Sequence, residues 1–103
     1  MKPETKFRQN QVLPFLQKLK NTYYESIQQL AISGSPDIIL CVWGRFVALE
    51  LKSKEGKLEP LQKYKLNEIK RTGGIALRVS PQNWEEVKEN LSLMDQTKEE
   101  AWK

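Results

Sequence analysis

The stretch Gly34-Ser35-Pro36-Asp37-Ile38-Ile39-Leu40-Cys41-Val42-Trp43-Gly44-Arg45-Phe46-Val47-Ala48-Leu49-Glu50-Leu51-Lys52 decides the fold. Two apolar runs, 38–43 and 46–51, are rich in β-branched and aromatic residues and are separated by Gly44-Arg45. A two-residue Gly-X loop between such runs signals a hairpin with a type II′ turn. That loop sets Trp43 opposite Phe46, Ile39 opposite Glu50 and Asp37 opposite Lys52. Side chains alternate along a strand and directly opposed ones share a face, so Asp37, Glu50 and Lys52 converge on one face at the open end of the hairpin. Moving the turn to Trp43-Gly44 keeps that parity and opposes Asp37 to Glu50 instead. A three-residue loop would throw the two carboxylates to opposite faces. Opposed Cβ atoms lie roughly 5 Å apart and diagonal ones roughly 7–8 Å, a span that one metal ion bridges. Charge is costly to bury unless it is paired or bound to a metal, so the trio calls for a chemical role.

Outward from the hairpin, residues 3–20 read as a helix with Val12, Leu16 and Leu19 at helical spacing. Pro14 either kinks that helix or starts a second one, because it cannot donate a backbone hydrogen bond. Residues 22–29 suggest a half-exposed strand. After the hairpin comes a polar loop, 53–56, and then Glu59-Pro60 opens a helix that Gly73-Gly74 ends. Its apolar positions include Leu61, Leu66 and Ile69. Gln62, four residues before Leu66 and seven before Ile69, shares the inward stripe, as a satisfied core amide or as an active-site contact. Residues 75–79 form another strand. Residues 81–91 form a short helix whose Trp84, Val87 and Leu91 cover the sheet, and a polar tail carries Trp102. The order is helix, three strands, helix, strand, helix. It predicts an α/β fold, a mixed central β-sheet flanked by helices, with a parallel βαβ crossover between the strand of Glu50 and the strand of Ile75.

At 103 residues the chain makes one domain, expected over 1–92 with a tail at 93–103. No run is long and apolar enough for a membrane span, and no apolar segment follows the first residues as in a signal peptide. One cysteine forms no internal disulfide, which fits a reducing cytoplasm; Cys41, inside a strand run, is expected in the core. With no histidine and one cysteine, the usual zinc sites and the Ser-His-Asp and Cys-His nucleophilic arrangements are excluded. Catalysis would run on carboxylates, lysine and a hard metal. The net charge of +4 is modest. Its distribution says more: Lys52, Lys54, Lys57, Lys63, Lys65, Lys70 and Arg71 fall between the end of the second hairpin strand and the end of the next helix, as a phosphate-binding surface would.

Gly34-Ser35-Pro36-Asp37, then Glu50-Leu51-Lys52, then Gln62, resemble the PD-(D/E)xK nuclease superfamily, and within it the stand-alone virus-type replication-repair nuclease (VRR-NUC) modules of bacteriophages and bacteria. The likeness covers about residues 4–88, and the Gly73-Gly74 entry into the next strand adds to it. The resemblance implies a restriction-endonuclease-like core. Asp37, Glu50 and the Leu51 backbone carbonyl would be metal ligands, Lys52 the catalytic lysine and Gln62 the helix glutamine. An acidic residue from the first helix often joins such a site, with Glu4 the first candidate and Glu25 the second; Glu4 could equally pair with Arg8. Lys54, Lys57 and Lys63 would contact nucleic acid.

The implied activity is Mg2+- or Mn2+-dependent hydrolysis of DNA phosphodiester bonds. The resemblance implies branched DNA such as a Holliday junction, a homodimeric enzyme, a role in DNA repair and a cytoplasmic setting in a bacterial host cell, with a phage-encoded origin as one form of it. Two other readings use the same residues: a nucleic-acid-binding protein on a nuclease scaffold, and a flap or restriction-type nuclease.

Overall fold

The computed structural model describes residues 2–27 and 34–98. Its chain order is α1 (Pro3–Phe7), a π-helical turn (Arg8–Val12), α2 (Leu13–Leu16), β1 (Thr22–Ser26), β2 (Ile38–Val42), β3 (Arg45–Leu51), α3 (Pro60–Arg71), β4 (Ile75–Val79) and α4 (Trp84–Gln96). The four strands form one mixed sheet in the order β1-β2-β3-β4. β1, β2 and β3 are antiparallel neighbours, and β4 lies parallel to β3. The crossover between β3 and β4 runs through α3, so the expected βαβ unit and the α/β class are both present.

The N-terminal helix neither breaks at Pro14 nor runs on unperturbed. In a regular α-helix the Pro14 ring would clash with the Asn10 carbonyl. Ahead of it the backbone widens into a π turn, in which the Leu13 amide donates to the Arg8 carbonyl. The buried positions follow that winding: Phe7 and Val12 are five apart, Val12 and Leu16 four. The π turn thus rotates α1 against α2 and orients Glu4 and Arg8 separately from the Val12–Leu16 stripe. The helical segment ends at Leu16, four residues short of the sequence expectation.

One sheet face makes the larger core. Ile38, Leu40, Val42, Val47, Leu49, Leu51 and Val79 pack there with Phe7, Val12, Leu16, Trp84, Val87 and Leu91. Trp84 holds the two ends of this layer together, edge-on to Phe7 at 5.6 Å and to Phe15 at 5.5 Å between ring centroids. α3 covers the opposite face only over β3 and β4, where Ala48, Ala76 and Leu66 are buried with Leu58 and Ile69 beside them. Among the described residues no helix covers the β1–β2 half of that face. Cys41 pairs with Tyr23 on one side and Phe46 on the other, and all three are exposed. The expectation of Cys41 as core packing is therefore wrong: its alternation parity points it away from the helices of the main core, beyond the reach of α3.

α4 begins at Trp84 and continues to Gln96, past the expected end at Leu91 and into the stretch read as a polar tail. Asp95 explains the extension. Its carboxylate accepts the amides of Lys20 and Asn21 (3.2 and 2.7 Å) and the Thr22 hydroxyl (2.8 Å). Its backbone carbonyl accepts Asn21 Nδ2 and Trp43 Nε1. A buried aspartate thus fastens the end of α4 to the start of β1 and to the hairpin turn. Trp102 lies outside the described residues. Among the described residues no helix is long and apolar enough to cross a membrane.

Candidate active site

The hairpin turn is Trp43-Gly44. Val42 pairs with Arg45, and the ladder continues to Ile38 and Leu49. This corrects the Gly44-Arg45 loop with its Asp37–Lys52 pairing, and matches the alternative that opposes Asp37 to Glu50. Both loop residues have positive φ, 51° for Trp43 and 83° for Gly44, as a type I′ turn requires. Tryptophan is a poor resident of that region. Its indole N–H donates to the Asp95 carbonyl at 2.8 Å, and Lys98 sits 5.7 Å from the ring centroid. Tertiary contacts from α4 thus hold a turn that local propensity disfavours.

The ladder brings the two carboxylates together. The Asp37 amide donates to the Leu49 carbonyl at 3.0 Å, and Asp37 Oδ2 accepts the Leu51 amide at 2.7 Å. Asp37 therefore brackets Glu50 from the neighbouring strand. Both side chains are buried, at 2% exposure for Asp37 and 1% for Glu50. Ahead of Asp37, Gly34 has φ +80°, and a Cβ on it would lie 2.7 Å from Leu61 Cγ. The Gly-Ser-Pro-Asp approach to β2 passes directly under the start of α3, where only glycine fits.

Glu50 lies on the α3 side of β3, by alternation with Ala48. Gln62 Nε2 donates to Glu50 Oε2 at 3.0 Å, and Gln62 Oε1 accepts the Glu59 amide at 2.9 Å, closing the capping box of α3. One side chain thus caps α3 and contacts the Glu50 carboxylate. Glu50 Oε1, by contrast, has no hydrogen-bond donor among the described residues. Burial and then the adjacent Asp37 charge push the Glu50 carboxyl up to about 8, with Lys52 acting in the opposite direction and Glu4 adding to the rise. Arg78 is the ladder partner of Glu50 on β4. Its guanidinium donates instead to the carbonyls of Ser53 and Gly56, anchoring the loop after Lys52. The cation paired across the ladder from Glu50 is thus committed to the loop carbonyls.

Lys52, two residues beyond Glu50, is half-buried and close enough to lower the Glu50 pKa. Glu4 is half-buried and lines a cleft with Asp37, Leu51, Lys2, Thr5 and Arg8. Leu51 contributes its side chain to the main core, while its amide binds Asp37 at the floor of this cleft. Glu25 stands apart, exposed on β1 and bonded to the Tyr23 hydroxyl. Of the two acidic candidates, the fold brings Glu4 to the carboxylate pair. Lys54 and Lys57 are exposed on the Arg78-anchored loop, and Lys63 is exposed on the first turn of α3. Among the described residues no group of three or more His, Cys, Asp or Glu side chains forms a ready metal cluster.

No known protein family, curated protein or solved structure matches the chain. The site stands on its own geometry. A divalent cation fits it chemically. Asp37 and Glu50 present two adjacent carboxylates, one with an unpartnered buried oxygen, and Glu4 adds negative potential. Such an all-oxygen set suits Mg2+ or Mn2+. Arg78, Lys2 and Thr5 escaped the sequence reading, and Arg8 entered it only as a partner for Glu4. For Arg8 one signal was available: the five-residue step from Phe7 to Val12, which betrays a π turn.

Proposed function

We propose that the chain is a divalent-metal-dependent endonuclease with a PD-(D/E)xK-type core of the virus-type replication-repair class, hydrolysing phosphodiester bonds in DNA. The observation that carries this reading is Glu50 Oε1, a buried carboxylate oxygen without a donor, set beside a second buried carboxylate. Without a cation, a proton shared with the Asp37 carboxylate satisfies that oxygen, and a bound cation would take the place of that proton. A cation-binding role explains the paired carboxylates, together with the raised Glu50 pKa and the diversion of Arg78 to the loop carbonyls.

Asp37 and Glu50 would hold the cation, with the Leu51 carbonyl as third donor and Glu4 at the edge of the site. When bound, Mg2+ or Mn2+ would activate water and offset charge on the phosphate oxygens. The Leu51 amide fixes one oxygen of Asp37 and Gln62 fixes one oxygen of Glu50, so both carboxylates are held with little freedom to reorganise. Lys52 would orient the attacking water, or meet the charge developing on the phosphorus-bound oxygens. Lys54, Lys57 and Lys63 would hold the flanking backbone.

A domain this small has little surface for reading base sequence. Two sites related by a twofold axis would suit symmetric cutting of a branched substrate, so a homodimer acting on four-way junctions is the form proposed. The test is cleavage of a labelled four-way junction with Mg2+ or Mn2+, run beside linear duplex and single strand, with Lys52→Ala as control. Metal-dependent cutting that Lys52→Ala abolishes supports the reading. Binding of all three DNAs with none cut would favour a non-catalytic binder on the same scaffold.

A further inference from the structure

The cleft beside Asp37 has two unlike walls. One is the strand wall of Asp37 and Leu51. The other is the first helical turns, which contribute Lys2, Glu4, Thr5 and Arg8 around about 200 Å3. Glu4 and Arg8 stand four residues apart, the spacing at which opposite charges usually pair on a helix. Here they do not pair: among the described residues the ion pairs are Arg71–Glu68 and Lys88–Glu85. Arg8 is half-buried, and its guanidinium has neither a hydrogen bond nor an ion pair among the described residues. Five N–H donors without an acceptor, in a cleft lined by metal-ligand candidates, leave room for an anionic guest.

The backbone gives this placement a cause. The π turn demanded by Pro14 starts at Arg8, whose carbonyl accepts the Leu13 amide. It sets the direction of the Arg8 side chain apart from the core stripe of α2. Such turns often accompany functional positions in helices. Lys2 adds a second cation on the same wall, and Thr5 adds a hydroxyl.

Resting on the nuclease reading above, we propose that Arg8 is a substrate-binding residue that seats a DNA backbone phosphate against the first helix, with Lys2 and Thr5 beside it. The guanidinium takes the phosphate in a forked pair of hydrogen bonds from the helix wall, and the carboxylate pair and its cation approach from the strand wall. The substrate is thereby clamped between the first helix and the sheet, whereas Lys54, Lys57 and Lys63 hold it from the loop and α3.

The test compares wild type, Arg8→Ala and Arg8→Lys in two measurements on one labelled four-way junction. The first is steady-state cleavage with Mg2+; the second is equilibrium binding in EDTA across a salt series. With Arg8→Ala, KM rises about ten- to a hundredfold, the weight of a charge-assisted hydrogen bond, with a smaller change in kcat. The slope of log affinity against log salt falls by about one. Arg8→Lys recovers the salt slope but only part of the KM, because it keeps the charge and loses the fork. Thermal unfolding of each variant checks the fold, and Arg8→Lys carries the comparison if Arg8→Ala is unstable. Wild-type cleavage with unchanged KM and salt slope in both variants overturns the phosphate seat and leaves the nuclease reading intact. A wild type that cuts nothing, but whose metal-free binding depends on Arg8, overturns the nuclease reading and keeps the seat. Binding indifferent to Arg8 without any cleavage overturns both.

Discussion

Gln62 is bonded to Glu50 through one end of its amide and to the Glu59 backbone through the other, at 3.0 and 2.9 Å. One side chain thus ties the start of α3 to the carboxylate at the end of β3. The helix cap and the geometry of the carboxylate pair are one hydrogen-bonded chain, and disturbing either end disturbs both.

Gln62→Ala is expected to cost about 1–2 kcal/mol of stability, from the lost cap and the freed Glu50 oxygen. Melting by circular dichroism would then fall by about 4–8 °C per kcal/mol for a domain of this size. Cleavage would fall as well, because Glu50 is no longer held. A variant that melts like wild type and cuts at full rate would show that the amide fixes neither element.

The carboxylate pair predicts an unusual dependence of stability on pH. The folded Glu50 pKa is raised, to about 8 against an ordinary 4.5. Between those values the native state binds more protons than the unfolded state, so stability falls as pH rises from about 5 through 8. Urea denaturation in EDTA should lose a few kcal/mol across that window, since one pKa unit carries about 1.4 kcal/mol. Glu50→Gln should flatten the slope and leave the protein more stable than wild type at pH 8.5. A wild-type profile that is already flat would contradict the buried, raised carboxyl.

Much of this site was legible in the sequence, and the failures have local causes. The opposition of strand residues follows from parity, so either two-residue turn puts Asp37 and Glu50 on one face. What local chemistry misjudged was the turn itself. A positive φ at Trp43 is disfavoured by every propensity, and it becomes tolerable only because Asp95, fifty-two residues away, supplies a carbonyl to the indole. Asp95 was read as part of a polar tail for the same reason: its partners at Lys20, Asn21 and Thr22 are distant in sequence. Cys41 was misplaced because a strand buried on both faces and a strand covered on one look alike when α3 spans only half of the sheet. Gln62, polar on an apolar stripe, bonds both the Glu59 backbone and the Glu50 carboxylate.

Asp95→Ala should be among the most destabilising changes outside the main core. It leaves two backbone amides and the Thr22 hydroxyl without acceptors, each costing about 1–3 kcal/mol where buried. Because the site is part-exposed and water will satisfy some donors, a net loss of about 3 kcal/mol is expected in chemical denaturation. Asp95→Asn, which keeps one acceptor oxygen, should lose about half of that. An effect below about 0.5 kcal/mol for Asp95→Ala, the range of ordinary surface changes, would mean that α4 is fastened by packing alone.

Gly34→Ala tests whether the Gly-Ser-Pro-Asp approach is shaped by packing. The new Cβ would meet Leu61 Cγ at 2.7 Å on a backbone of φ +80°. Strain and contact together should cost about 1–3 kcal/mol. If the clash is the larger part, Leu61→Ala in the same chain should recover some of that loss, whereas backbone strain would remain. A double variant no better than Gly34→Ala would assign the requirement to φ alone.

The proposed metal site makes a further prediction: a cation bound between Asp37 and Glu50 would displace the proton that a Glu50 pKa raised to about 8 keeps on at neutral pH. Titration of Mg2+ or Mn2+ into the protein at pH 7 should release close to one proton, read from calorimetry in two buffers of different ionisation enthalpy. The release should shrink at pH 9, where Glu50 is already ionised. At a hundred times the dissociation constant the cation should stabilise the fold by about 2.7 kcal/mol. Asp37→Asn and Glu50→Gln should each remove most of that gain, whereas Glu25→Gln, on exposed β1, should leave it unchanged. Stabilisation that survives both carboxylate substitutions would place the cation somewhere other than between Asp37 and Glu50, and the nuclease reading would lose its centre.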